Sequence, residues 1–246
     1  MRLAGKVAVI GAAGGGMGVS VPLLFAQEGA KVVLAARRAE PLQAIVDQIK
    51  AVGGEASYVT ADLTSEEGYG LVVDHAEKAY GKLDIMYNNM GDSAGRGLRL
   101  HETPMSDWNY LTDINLKPAY LATRYAVPAF QRAGRGVIIH VSASFDIRQR
   151  GHAGYGAAKA GLIGITQNTS RAYKKDNIRV VCICPQSIGG EFSGERVVMP
   201  DPVLDRRGNA TDVAWAALFL ASDEASWLTG VVLPVDGGNE LNTATA

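Results

Sequence analysis

Short apolar runs and segments with helical spacing alternate along the 246 residues of this chain. Most of the apolar runs are continuous and do not alternate with polar residues, which is typical of parallel strands covered by helices on both faces. Seven strands are predicted, over Val7–Ile10, Lys31–Ala35, Ala56–Thr60, Leu83–Asn88, Gly136–Val141, Ile178–Cys184 and Val231–Val235.

The segments between these runs have the spacing of amphipathic helices. They cover Gly18–Glu28, Glu40–Val52, Glu66–Tyr80, Met105–Arg132, Ala153–Lys174 and Thr211–Ala221. Strands and helices in regular succession predict a doubly wound α/β fold, with ligands at the carboxyl ends of the strands. The pattern leaves the order of the strands in the sheet open.

The composition fits one domain spanning residues 1–246. Hydrophobic residues make up 47% of the chain and charged residues 20%, which is enough apolar material for a large core. The formal net charge is -1, so neither nucleic acid nor an anionic membrane is an expected partner. No apolar run approaches the roughly 20 residues of a membrane span, which predicts a soluble, cytoplasmic protein.

The N-terminal stretch Val7–Ala13 superficially resembles a short signal peptide, but a strand running into a glycine loop explains it better. Cys182 and Cys184 would point to the same side of one strand, and we expect two buried thiols in a reducing compartment. The four histidines show no ligand spacing, so no metal site is expected.

A glycine-rich loop from Gly11 to Gly18 follows the first predicted strand and leads into a helix. In this context glycines let the backbone approach a pyrophosphate, which indicates a dinucleotide ligand. Glycines also form tight turns, so the loop alone does not decide between the two interpretations. Its position after the first strand favours the dinucleotide.

The end of the second strand bears on the choice of coenzyme. A carboxylate there would bind the ribose 2′-hydroxyl of NAD(H), but the chain has Ala36 followed by Arg37 and Arg38. Two guanidiniums can pair with a 2′-phosphate, so NADP(H) is favoured and NAD(H) stays possible. The alternative is that both arginines are solvated residues at the start of a helix.

Tyr155 and Lys159 stand four residues apart, so on a helix both project from one face. A phenol is a poor acid or base at neutral pH unless a neighbour such as a cation shifts its pKa. Ser142 ends the fifth predicted strand, where it could hydrogen-bond a substrate oxygen. Ser144 competes for that role, and either serine could simply cap a turn.

Taken together, these motifs resemble those of the compact branch of the short-chain dehydrogenase/reductase family. The likeness extends over almost the whole chain and implies a Rossmann-type fold with a seven-stranded parallel sheet between two helix layers. It rests on the glycine loop, Asp62, Asn88-Asn89-Met90-Gly91, Asn115, Ser142, Tyr155 with Lys159, Pro185, Thr229-Gly230 and Val235-Asp236-Gly237-Gly238.

The resemblance implies hydride transfer between a nicotinamide coenzyme and a carbonyl or secondary alcohol. Tyr155 would be the acid/base, Lys159 would lower its pKa and hold the ribose, Ser142 would polarise the carbonyl, and Asn115 would anchor a relay water. Asp62 would contact the adenine, and Asn89 would brace the sheet beside the coenzyme. The implied coenzyme-binding set is Gly11, Gly16, Met17, Gly18, Arg37, Arg38, Asp62, Leu63, Asn89, Tyr155, Lys159, Pro185 and Ile188.

Three residues separate the tyrosine from the lysine, whereas enoyl reductases of this kind have a longer gap, so carbonyl chemistry is favoured over carbon–carbon double bonds. The family is commonly oligomeric, which implies a homotetramer or homodimer. The alternative is a non-catalytic or regulatory protein that keeps the dinucleotide scaffold, and it is motivated by the altered glycine loop, Gln186 and Gly190.

Four departures from the family pattern lie near the expected coenzyme. The glycine loop begins after Ile10 where the family has threonine, and one extra residue stands between Gly11 and Gly16. Met90 replaces an alanine, Gln186 replaces a glycine after Pro185, and Gly190 stands at a threonine position. The segment 189–205 occupies the place of the family's mobile substrate lid.

Overall fold

We describe the fold from a computed structural model, which covers residues 1–93, 99–189, 197–200, 204 and 206–239. Seven strands form one sheet in which every neighbouring pair is parallel. The strands are β1 Val7–Gly11, β2 Lys31–Ala36, β3 Glu55–Thr60, β4 Ile85–Asn88, β5 Gly136–Val141, β6 Ile178–Pro185 and β7 Val232–Val235. The predicted α/β class is confirmed, and the strand bounds shift by no more than two residues.

Eight α-helices lie between the strands in the described residues. They are α1 Met17–Gln27, α2 Ala39–Ala51, α3 Glu66–Tyr80, α4 Met105–Asn115, α5 Lys117–Ala133, α6 Phe145–Arg150, α7 Ala153–Tyr173 and α8 Ala210–Ala221. Helices α1, α2 and α8 pack together on one face of the sheet, and α3, α4, α5 and α7 cover the other. Two apolar cores, one on each face, bury most residues of the strands.

The strand order β3-β2-β1-β4-β5-β6-β7 places a topological switch between β1 and β4. The chain moves outward from β1 to β3 and then returns to the other side of β1. Gly11 at the end of β1 pairs with Ala35 of β2 and with Asn88 of β4. Loops after these strands leave in opposite directions, which opens a crevice for a ligand at their carboxyl ends.

One predicted helix, Met105–Arg132, is wrong as a single element. The structure divides it at Leu116, which caps the end of α4 and precedes α5. Pro118 lies in the first turn of α5, where its missing N–H removes the hydrogen bond that would continue α4. The break places Asn115 at the end of α4, where its side chain is buried.

The short helix α6 was not predicted from the sequence. Ser144 begins it, because its Oγ accepts a hydrogen bond from the backbone N–H of Ile147. Six residues give too short a pattern for helical periodicity to be recognised. No helix in the described ranges is both long enough and apolar enough to cross a membrane.

Candidate active site

Three cavities lie at the carboxyl edge of the sheet. The arginine cavity, of about 490 Å³, is lined by the glycine loop, the end of β2 and the loops after β3 and β4. The tyrosine cavity, of about 560 Å³, contains Tyr155 and Ser142. The outer cavity, of about 930 Å³, lies beside the tyrosine cavity and shares Ile147, Arg150, Gln186, Ser187 and Ile188 with it.

The arginine cavity brings together the residues expected around the adenosine half of a dinucleotide. Arg37, Arg38, Asp62 and Leu63 all line it. Both arginines are exposed, and no carboxylate of the described residues lies within ion-pair distance of either. The Asp62 carboxylate accepts hydrogen bonds from the backbone N–H and hydroxyl of Thr64, which lower its pKa.

The glycine loop is fixed at both ends by close backbone packing. A Cβ added to Gly18 would overlap the carbonyl oxygen of Ala12, and one added to Gly11 would lie 3.1 Å from Leu63. Between these points, a Cβ added to Gly15 would meet no atom within 4 Å, and Gly14 and Gly15 line the arginine cavity. The loop with its extra residue therefore leaves open space at Gly15, and α1 begins directly at Met17.

The N-terminus of α1 fits an anionic ligand. Its N-cap is Gly16, which lacks a capping side chain, and its first turn contains no acidic residue. Backbone N–H groups at such a helix end attract phosphate. In the loop after β4, the Oδ1 atom of Asn89 is buried without a hydrogen-bond partner in the described part of the chain. An uncapped helix and an unused buried acceptor are consistent with a dinucleotide in this crevice.

Residues of the predicted coenzyme-binding set line the tyrosine cavity. Gly16 and Met17 line it from α1, and Pro185 and Ile188 line it from the end of β6. Ser142 and Tyr155 share the same cavity. The structure thus places Tyr155 and Ser142 beside the start of α1, at the carboxyl edge of the sheet.

Lys159 is buried, with 4% of its surface exposed, and its Nζ donates to two backbone carbonyls. The acceptors are Met90 O at 2.9 Å and Val141 O at 3.0 Å. Burial lowers the pKa of Lys159 to about 8. The two hydrogen bonds offset part of the cost of holding the ammonium group away from water.

The expected lowering of the Tyr155 pKa by Lys159 is not seen in this structure. Burial raises the pKa of the Tyr155 hydroxyl above its ordinary value. The Lys159 ammonium lies 5.8 Å from the centre of the Tyr155 ring and directs its hydrogen bonds to the carbonyls of Met90 and Val141. The phenol is therefore in its protonated form at neutral pH.

The two candidate serines differ in what they contact. Ser144 is fully buried, donates to Gln186 Oε1 at 2.7 Å, and accepts from Ile147, so its hydroxyl is used in capping α6. Ser142 Oγ donates to the carbonyl oxygen of Lys159 at 2.6 Å and lines the tyrosine cavity. Ser142 is the serine with access to a ligand. To donate a hydrogen bond to a substrate oxygen, its hydroxyl must first break its hydrogen bond to the carbonyl oxygen of Lys159.

Asn115 is not among the residues that line the tyrosine cavity. Its side chain links the end of α4 to the loop after β4, since Nδ2 donates to Asp92 O at 2.8 Å and to Leu111 O at 2.9 Å. Gly91 packs between Asn115 and Lys159. A Cβ at Gly91 would lie 2.8 Å from Lys159 Nζ and 3.2 Å from Asn115 Oδ1.

Neutral polar side chains from α3, β4 and β5 contact one another, and His140 among them lies near Lys159. Asn88 of β4 contacts His140 of β5 at 3.4 Å and accepts from the Tyr69 hydroxyl at 2.8 Å. Burial, together with the positive charge of Lys159, lowers the pKa of His140 to about 4. His140 is thus uncharged at neutral pH, and it adds no second positive charge beside the ammonium group.

The departures from the family pattern have different outcomes. Met90 lines the arginine cavity, and its backbone carbonyl binds Lys159. Gln186 connects Ser144 to Asp146, whose carboxylate it reaches at 3.2 Å. Gly190 and most of the segment 189–205 lie outside the described residues.

Sequence reasoning missed three functional candidates in this site: Gly91, His152 and Gln186. Gly91 was noted only as part of a motif, Gln186 only as a departure, and His152 only for lacking ligand spacing. Gly91 and Gln186 acquire their importance from contacts between segments distant in sequence, and no local pattern marks such contacts. Gly91 had the best available signal, because it follows β4 at the switch point.

Comparison with known proteins decides the family. Residues 11–240 match a family model described as enoyl-(acyl carrier protein) reductase. The chain is also 34% identical over 246 residues to 3-oxoacyl-(acyl-carrier-protein) reductase FabG of Thermotoga maritima, with 97% of this chain and 99% of the relative covered. The chain belongs to the short-chain dehydrogenase/reductase family.

Two further similarities support the membership. This short-chain dehydrogenase/reductase is 32% identical over 252 residues to 7alpha-hydroxysteroid dehydrogenase of Escherichia coli, with 98% of each chain covered. A solved structure of a 7α-hydroxysteroid dehydrogenase with NADH and 7-oxoglycochenodeoxycholic acid superposes with a TM-score of 0.85 at 30% identity, covering 96% of this chain and 95% of that one.

Family membership confirms the fold and the general activity. The protein is an NAD(P)-dependent oxidoreductase that transfers a hydride between a nicotinamide coenzyme and a carbonyl or secondary alcohol. Nothing in these similarities supports the alternative of a non-catalytic protein on the same scaffold.

We predict that Gly91→Ala lowers kcat/KM by about 10- to 100-fold while the protein stays folded, because the new methyl group displaces the Lys159 ammonium. Steady-state kinetics and thermal unfolding measure the two quantities. The matched control is Gly164→Ala, since a Cβ there meets no atom within 4 Å. Equal activity of the two variants would contradict this role of Gly91.

Proposed function

We propose that this protein is an NADP(H)-preferring carbonyl reductase in which Tyr155 donates the proton to the carbonyl oxygen. The observation that carries the proposal is the tyrosine cavity, where Tyr155 and Ser142 lie beside the uncapped start of α1. A carbonyl in this cavity lies within reach of a proton donor and of a coenzyme held at the helix N-terminus.

The protonated state of Tyr155 favours reduction at neutral pH. A general acid must carry its proton before the reaction, and burial keeps the Tyr155 phenol protonated by raising its pKa. The reduced nicotinamide, when bound, supplies the hydride. Alcohol oxidation needs the phenolate as the base, so it is expected to become faster as the pH rises toward the pKa of Tyr155.

The other proposed residues act around this proton transfer. Ser142 would orient the carbonyl oxygen by donating a hydrogen bond to it. Its hydroxyl first has to break its hydrogen bond to the carbonyl oxygen of Lys159. Lys159 would stay charged and hold the ribose hydroxyls near Tyr155. Asn115 would support a relay water, and its bonds to Asp92 and Leu111 keep it fixed beside Gly91.

The preference for NADP(H) rests on the arginine cavity. Ala36 at its edge offers no carboxylate to a ribose 2′-hydroxyl, while Arg37 and Arg38 line the same cavity without an ion-pair partner in the described ranges. A 2′-phosphate would pair with these guanidiniums. Asp62 lines the same cavity and would contact the adenine.

Carbonyl reduction is favoured over reduction of a carbon–carbon double bond, although the matching family model is named for enoyl reductases. The support is the gap of three residues between Tyr155 and Lys159, which places both side chains on one face of α7. The names of the relatives, a 3-oxoacyl reductase and a hydroxysteroid dehydrogenase, refer to ketone and alcohol chemistry.

We predict that Tyr155→Phe lowers kcat for ketone reduction by about 100- to 10,000-fold, because the proton donor is removed. The dissociation constant of the coenzyme should change little, as measured by fluorescence titration. Tyr173→Phe is the matched control, since it is the same substitution on α7 outside the cavity. Full activity of Tyr155→Phe on a reduced ketone would overturn the catalytic assignment.

We predict that replacing Arg37 and Arg38 together by alanine weakens NADPH binding by about 10-fold or more, because charge-assisted hydrogen bonds to the phosphate are lost. Binding of NADH should be nearly unchanged, and separate titrations of the two coenzymes measure the difference. Arg171→Ala serves as a control because Arg171 is exposed on α7, away from the arginine cavity. An equal loss for both coenzymes would refute the proposed preference.

The protein is further proposed to form a homotetramer or homodimer in the cytoplasm. Exposed apolar residues on α4 and α5, including Met105 and Tyr120, support an interface, and the buried free thiols Cys182 and Cys184 suit a reducing compartment. Light scattering of the purified protein should give two or four times the mass of 26.0 kDa. A monomer at micromolar concentration would contradict the oligomer.

A further inference from the structure

The outer cavity presents the guanidinium of Arg207 to a ligand. Its charged lining consists of three arginines and three aspartates, which are Asp146, Arg150, Arg206, Arg207, Asp212 and Asp236. Arg150 forms an ion pair with Asp146. Arg206 forms a second one with Asp212, through two hydrogen bonds of 2.6 and 2.8 Å. Arg207 is exposed, and no carboxylate within the described ranges lies at ion-pair distance from it.

Arg207 is held in place by the loop after β6. Its Nη2 donates to the Ser187 hydroxyl at 3.1 Å, and its Nε donates to the carbonyl oxygen of the same residue at 3.5 Å. The guanidinium lies across the backbone of Gly189, where an added Cβ would come within 2.8 Å of Nε. The N–H of Gly189 in turn donates to the carbonyl oxygen of Gly208 at 2.9 Å. Glycine at position 189 therefore leaves the space that the guanidinium occupies.

The loop that holds Arg207 also connects it to the reaction site. Ser187 lines both the outer cavity and the tyrosine cavity. Ile147 and Ile188 line both as well, and they give this shared wall an apolar surface. A substrate whose carbonyl lies beside Tyr155 can therefore extend past Ser187 into the outer cavity and reach Arg207.

The charges of the outer cavity indicate a ligand group with a single negative charge. An arginine side chain stays charged in proteins, and its fork of donors matches the oxygens of a carboxylate or a phosphate. Asp236 contributes a third carboxylate to the same cavity, with Oδ1 accepting from the backbone N–H of Gly238 at 2.9 Å. A dianionic phosphate is repelled more strongly by this group than a monoanion is. A carboxylate is therefore the better match to Arg207.

We propose that Arg207 is a specificity-determining residue that binds a carboxylate of the substrate. The reacting carbonyl and the carboxylate lie in different cavities, so several carbons separate them. The substrate class is an oxo acid in which an apolar chain joins the two groups along the wall of Ile147 and Ile188. This inference rests on the proposed function, because it takes the tyrosine cavity as the place where Tyr155 protonates the reacting oxygen.

Oxo acids of increasing length and their methyl esters test the proposal. The acids are 5-oxohexanoate, 7-oxooctanoate and 9-oxodecanoate. Each ester keeps the reacting carbonyl and the chain but removes the negative charge. The measured quantity is the ratio of kcat/KM for the acid to kcat/KM for its ester, followed by the consumption of NADPH. Intrinsic reactivity cancels when the ratio of a variant is divided by the ratio of the wild type.

Two substitutions of Arg207 separate its charge from its packing. Arg207→Met keeps an unbranched side chain against Gly189 but removes the charge, and Arg207→Lys keeps the charge but not the fork of donors. We expect Arg207→Met to lower the acid-to-ester ratio by about 5-fold or more for at least one chain length, and Arg207→Lys to retain part of it. Arg171→Met is the matched control, since it makes the same change of charge on the exposed surface of α7.

Gly189→Ala tests whether the position of the guanidinium matters. The new methyl group would displace the Arg207 side chain while leaving its charge in the protein. We expect the acid-to-ester ratio to fall in this variant too. An unchanged ratio in both Gly189→Ala and Arg207→Met would show that no carboxylate binds at Arg207. An equal fall in Arg207→Met and Arg171→Met would also overturn the proposal, because the effect would then come from net charge alone.

Binding without turnover distinguishes this inference from the proposed function. Tyr155→Phe lacks the proton donor, and calorimetric titration of this variant with the three acids measures binding alone. Adding Arg207→Met to it should weaken that binding by about 5-fold or more. If the acids bind through Arg207 but the wild type reduces no carbonyl compound, the carboxylate site stands and the proposed function fails. If the wild type reduces other ketones through Tyr155 but none of these acids, the substrate class is wrong.

Discussion

The buried ammonium of Lys159 is the interaction on which the rest of the site depends. Its hydrogen bonds to Met90 O and Val141 O hold α7 against the ends of β4 and β5. The link is reciprocal, because the side chain of Ser142 donates to the backbone of Lys159. A buried cation with no carboxylate bonded to it is tolerated only where carbonyl dipoles surround it and neighbouring groups stay neutral, as His140 does.

The sequence was sufficient to predict the fold class, because strands that are buried on both faces of a parallel sheet consist of continuous apolar runs. The runs that became β2 and β6 are almost entirely apolar, since both sides of each strand pack against helices. The order of the strands in the sheet could not be predicted, because a central strand and its neighbours have the same composition. The break at Leu116 was missed although Pro118 marked it, since the apolar spacing continues across it.

Those residues of the candidate site were predictable whose reactive side chains lie on one helix face or at the end of a strand. Tyr155 and Lys159 share a helix face, and Ser142 directly follows β5, so local spacing was enough to predict that they lie close together. The orientation of their polar atoms was not predictable. That Lys159 points at two carbonyls and that burial raises the pKa of Tyr155 depend on packing between α7 and the sheet.

The tyrosine and outer cavities share a wall formed by Ile147, Arg150, Gln186, Ser187 and Ile188. The last of these residues was also expected to contact the coenzyme, and Gln186 ties the wall to α6 through Ser144 and Asp146. Under the proposed function, a substitution in this wall that enlarges the space for substrate also alters the surface proposed to contact the coenzyme. Under the same proposal, engineering of substrate scope and of coenzyme affinity acts on the same five residues.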